Sequence, residues 1–168
     1  LNNDKIHPET KNYYLMQLVT YAPSYSKEKF IMYGNQVRIP KNKSYQINYD
    51  LLGFSNNMSL EELDQLCNYL LQKYKKNKRI NKVVQLEYKI QKATMLGSSE
   101  EPIETLLQSV GNTNYQCAIR CYIYALYYAN AHNRESFLHY YNEFIEKYSI
   151  LKGFVEKLEG VKTEMEKL

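Results

Sequence analysis

The chain has 168 residues, 44% apolar and 24% charged, which suits one compact domain or several stacked helical hairpins and suffices to bury a core. The formal net charge of +4 is unevenly placed: residues 1–99 carry fifteen Lys/Arg and eight Asp/Glu, giving +7, and residues 100–168 carry seven and ten, giving −3. Such asymmetry steers partners without deciding a fold, and the absence of an apolar run of roughly 18 residues or of a secretory h-region leaves no transmembrane segment or signal peptide to read.

Cys67, Cys117 and Cys121 are odd in number and lie in apolar contexts, which points to reduced thiols and a cytoplasmic setting. With Leu1 in first place rather than Met, the chain reads as a piece of a longer protein. Tyrosine is the compositional anomaly, 18 residues against five Phe and no Trp. A tyrosine ring buries much area while its hydroxyl asks for water or a partner, so many of these rings are expected at core edges or along a groove. A coding bias toward Tyr, Asn, Lys and Ile accounts for the same count without any function.

A first helix is predicted over 8–22, with Pro8 in its first turn and Pro23 as its stop, and a short second one over 26–33 before Gly34. Residues 35–58 are the least regular. Short alternation at 36–39 and 44–49 around Pro40 allows a small β-hairpin or an irregular segment over 35–50. Ser59 and Glu62 then form a capping box that opens a helix over 59–76, with Leu63, Leu66, Cys67, Leu70, Leu71 and Tyr74 on one face. A helix over 80–96 follows, punctuated by Gly97, and another over 99–110, begun by Ser98 to Glu101 and ended by Gly111.

Thr113 and Gln116 make a second capping box, opening a helix over 114–131 in which Ala118, Cys121, Tyr122, Ala125, Tyr128 and Ala129 recur at helical spacing. Residues 130–133 break that rhythm. Phe137, Leu138, Tyr141, Phe144, Ile145 and Tyr148 resume it over 134–148. Ser149 is the expected cap of a last helix over 150–166 bearing Ile150, Phe154, Val155, Leu158, Val161 and Met165, weakened by Gly153 and Gly160 at about 1 kcal/mol each.

The reading is an all-α fold of antiparallel helical hairpins, as a bundle or a short repeat stack. Residues 1–57 form N-terminal helices plus the irregular segment and residues 58–168 a helical-hairpin domain, as two units or one continuous domain. The spans 59–96 and 114–148 have the length of a helix–turn–helix repeat. With Tyr128 at the aromatic position and Ala125 at the small-residue position three before it, the second span resembles a degenerate tetratricopeptide repeat. Phe137 and Phe144 depart from that pattern, standing where it has small residues. The resemblance covers 35 to 110 residues and implies a scaffold that binds peptides or proteins. In some bacterial regulators such repeats follow a DNA-binding domain and sense short peptides.

No catalytic constellation is legible: there is no Gly-rich phosphate loop, no HExxH pair and no serine in a strand–turn–helix setting. Glu61, Glu62, Asp64, Glu100, Glu101 and Glu104 are accounted for by helix N-terminal electrostatics. Cys117, Cys121, His132 and His139 fail as a zinc set, because a closed site wants four convergent ligands and these histidines fall at a turn and a helix-length beyond it. No metal or cofactor is expected.

The chain is read as a non-catalytic protein- or peptide-binding helical module, the regulatory part of a larger protein, contacting its partner through Tyr124, Tyr127, Tyr140 and Tyr141. The alternatives are a nucleic-acid-associated protein and an architectural homo-oligomer subunit. The former would grip phosphates with Lys73, Lys75, Lys76, Lys78, Arg79 and Lys82, a run of six cations without an acid that also suits an ordinary solvated turn.

Overall fold

The computed structural model describes residues 59–167. The two predicted N-terminal helices, the segment over 35–50 and the basic residues Arg38, Lys41 and Lys43 lie outside them. The described residues form six helices and no strand, an all-α fold: α1 (Leu60–Lys73), α2 (Lys78–Leu96), α3 (Ile103–Leu107), α4 (Asn114–Asn130), α5 (Arg134–Tyr148) and α6 (Lys152–Met165). Among them no helix is long and apolar enough to cross a membrane.

Short turns at 74–77 and 131–133 fold α1 on α2 and α4 on α5 as antiparallel hairpins. Helix α4 also packs along α2 and against α6, so it lies at the centre of the described fold. Both capping boxes form: Ser59 and Glu62 close the start of α1, and Thr113 and Gln116 the start of α4.

Helix α4 is apolar around most of its girth and is covered on two sides. Ala118, Cys121, Tyr122, Ala125, Leu126 and Ala129 join Phe137, Tyr141 and Phe144 of α5 and Leu158 of α6 in one core. Ile123 joins Ile90 and Ala93 of α2 and Ile103, Leu106, Leu107 and Val110 in another. Phe137 and Phe144, which break the repeat pattern, are fully buried in a cluster that contains three alanines of α4. Small residues on one helix accept bulk from the other, and each ring contributes about 1.5–3 kcal/mol by burial.

Several helix boundaries differ from expectation, α1 among them, which ends at Lys73 rather than at 76. Helix α3 is five residues long rather than twelve, because Pro102 is its cap and disfavours helical backbone at Glu101. Helix α2 starts earlier than expected, at Lys78, where the Asn77 side chain accepts from the Ile80 amide. Ser149 does not cap α6; it is the helical C-cap of α5, Leu151 takes the N-cap position, and Ile150, expected inside, is 84% exposed.

The ends of α2 and α4 meet at Gly97. Its φ of 62° is left-handed, and a Cβ there would lie 2.2 Å from the Ala131 nitrogen. Beside it Asn130 Nδ2 donates to the Thr94 carbonyl at 2.7 Å, tying the two hairpins together. At the end of α4, His132 takes φ 55°, and the amides of His132 and Asn133 donate to Ala129 and Tyr128 carbonyls in a Schellman closure. Gly97→Ala is expected to destabilise the chain by about 2–4 kcal/mol, from the left-handed penalty and the overlap together. Chemical denaturation measures this, and an unchanged midpoint would contradict the close approach.

Candidate functional site

Helix α4 carries Tyr124 and Tyr128 one turn apart and Tyr127 between them, and α5 brings Tyr140 alongside. Tyr124 and Tyr127 pack at the edge of the α2–α3 core, Tyr128 and Tyr140 at the edge of the α5–α6 core. The cluster therefore lies along the seam where the two cores meet on α4. All four rings are half-buried.

Three of the rings are nearly parallel. Tyr140 stacks on Tyr124 at 4.7 Å and 19° and on Tyr128 at 5.7 Å and 4°, while Tyr124 and Tyr128 are 6.5 Å apart at 19°. Tyr127 stands edge-on to Tyr128, and exposed His139 edge-on to Tyr140. Stacking of this kind holds ring orientation, so the surface is ordered by the fold itself.

Acid sets the local electrostatics. The Tyr128 hydroxyl donates to Glu104 Oε1 of α3 over a long 3.3 Å. Burial, then the Glu104 charge, raises the phenol pKa values of Tyr124 and Tyr140 and pushes that of Tyr128 up to about 12. Arg120 opposes this at Tyr124, but its guanidinium donates to the Val110 and Gly111 carbonyls, Asn112 Oδ1 and Cys117 Sγ. Its role is to pin the chain after α3 onto α4.

Tyr141 does not belong to this surface. It is 6% exposed in the α5–α6 core, its hydroxyl donates to Glu159, and Lys162 lies over its ring at 4.7 Å. Conversely, Tyr128 and Glu104 belong to the cluster although the sequence marks neither as a partner contact. Tyr128 reads as a core or repeat-motif residue and Glu104 as a helix-dipole acid. The available signal was the one-turn spacing of Tyr124 and Tyr128.

The basic residues occupy the other end of the α1–α2 hairpin. Lys75, Lys76, Lys78, Arg79 and Lys82 are exposed there. Lys73 stands apart, half-buried over the rings of Tyr69 and Tyr74, with burial lowering its pKa. Cys121 is buried and donates to the Tyr140 carbonyl, and burial pushes its thiol pKa up to about 12. Among the described residues no three His, Cys, Asp or Glu side chains gather as a metal site.

No protein-family model matches the sequence, and no curated protein or solved structure matches it significantly.

The tyrosines carry a consequence for alkaline stability. Phenols whose pKa is raised above the ordinary 10 in the fold keep protons that the unfolded chain releases. Their contribution is intact below pH 10 and is lost as pH rises from about 10 through 12. Phenolate absorbance should show a late-titrating group, with denaturation midpoints falling over the same window. A single transition centred at the ordinary value, with stability flat across it, would contradict this.

Proposed function

We propose that the seam of Tyr124, Tyr127, Tyr128 and Tyr140 is a non-catalytic docking surface for a protein or peptide partner, in the regulatory part of a larger protein. The observation that carries it is four half-buried rings, three nearly parallel, at the junction of two cores. Tyrosine contributes large contact area at low side-chain entropy cost, and here packing has already removed much of that entropy. A likeness to tetratricopeptide hairpins agrees with this role and remains part of the same proposal. Affinity capture from the native source, read by mass spectrometry, compares the intact chain with a Tyr124→Ala/Tyr140→Ala variant whose helicity is verified. Partners of this surface should lose about tenfold or more in recovery, as expected for aromatic anchors. An unchanged partner set would remove the proposal.

A second reading has its own observation. The first turn of α2 contains no acid and follows the exposed Lys75 and Lys76, although a helix N-terminus favours negative charge. That end of the hairpin suits a polyanion, and we propose nucleic acid as the alternative partner. Anisotropy of a labelled single-stranded oligonucleotide should fall steeply with salt and be abolished by Lys75→Glu/Lys78→Glu. Binding that is absent at low salt, or insensitive to salt, would remove this reading.

A further inference from the structure

We infer that the tyrosine seam takes an arginine-bearing peptide segment, its guanidinium lying against the rings of Tyr124, Tyr128 and Tyr140 with Glu104 as counter-charge. This rests on the docking reading above and specifies the chemistry of the partner.

The inference comes from a pattern repeated within the fold. Three tyrosine hydroxyls donate to carboxylates on a neighbouring helix: Tyr88 to Asp64, Tyr141 to Glu159 and Tyr128 to Glu104. At the first, the Lys92 ammonium lies 5.5 Å from the ring centroid; at the second, Lys162 lies 4.7 Å from it. At Tyr88 the lysine also donates to the hydroxyl at 3.2 Å, while at Tyr141 it lies over the ring, so each of these acid-bound tyrosines has a cation of its own beside it. At Tyr128, no cation of the described residues lies over the ring or over Tyr124 or Tyr140.

Nearby charges do not supply one. Glu101 pairs with Lys89, and Glu143 pairs with Lys147 at 2.8 Å, whereas Glu104 is exposed and has no ion pair among the described residues. Arg120 is committed to two backbone carbonyls and Asn112. The patch thus joins a carboxylate with no ion pair among the described residues to a cluster of half-buried, electron-rich rings that attracts positive charge, in the half of the chain that carries −3 overall. Arginine fits better than lysine, because its planar guanidinium stacks on a ring while its fork meets a carboxylate through two parallel hydrogen bonds.

A library of random short peptides displayed on phage, selected on the full chain and counter-selected on the Tyr124→Ala/Tyr140→Ala variant, tests this directly. The enriched peptides should contain arginine. Replacing that arginine by citrulline, its neutral isostere, should weaken binding about tenfold or more, with a smaller loss for lysine. Glu104→Gln should give a similar loss, and a Tyr128→Leu/Tyr140→Leu variant, which keeps apolar bulk, should do so even if the alanine variant folds poorly. Tyrosine-dependent peptides that lack arginine, or arginine peptides indifferent to Glu104→Gln, would overturn the inference and leave the docking surface standing. No tyrosine-dependent peptide at all would overturn both. Sedimentation equilibrium adds one more arm: a dimer dissociated by Glu104→Gln would assign the cation to a second copy of this chain and overturn the peptide assignment.

Discussion

The described fold depends on one constraint: α4 is apolar around most of its girth and has to be covered on two sides. A helix of that composition is stable only inside a layer of others, and here α2 with α3 closes one side while α5 with α6 closes the other. The choice of residue follows from the closeness of approach. The core that Ala118, Ala125 and Ala129 share with α5 also takes the two largest fully buried rings, Phe137 and Phe144. Each side of α4 buries a separate cluster, and the strip between them is left half-buried.

That half-buried strip is where the tyrosines collect. A residue at the edge of two cores needs an apolar body toward the helices and a polar tip toward water, which describes tyrosine better than phenylalanine or leucine. Tyr122, deeper in the core, packs against Phe144 and Phe154, whereas Tyr124, Tyr127, Tyr128 and Tyr140 stay half-buried. Stacking fixes their planes, so this strip is more ordered than a surface of long flexible side chains. Acid from α3 then gives the strip its charge.

Polar ties hold this geometry in register. Asn130 reaching the Thr94 carbonyl joins the ends of the two hairpins, and the left-handed Gly97 permits the backbones to meet there. Arg120 draws the segment after α3 onto α4, which keeps Glu104 over the tyrosines rather than adrift on a short helix. Tyr88 and Asp64 make the comparable link between α1 and α2. Each tie is a part-buried hydrogen bond that satisfies a carbonyl or carboxylate which would otherwise lose its water on packing.

By itself the sequence determined that 59–167 is helical and most of the inward faces, because amphipathic spacing and capping boxes are local. Ser59 with Glu62, Thr113 with Gln116, and Leu63, Leu66, Cys67 and Leu70 all behave as that spacing requires. It also contained what limits α3, since Pro102 forbids the helix that Ser99 to Glu101 suggest, although the acidic run concealed it. The tertiary structure alone decided which tyrosines share a surface. Tyr141 and Tyr140 are chain neighbours, yet a 100° step around α5 sends one into the core beneath α6 and the other to the seam. Likewise Glu104 meets Tyr128 across 24 residues, a contact that depends on how α3 is pinned and on nothing local to either residue.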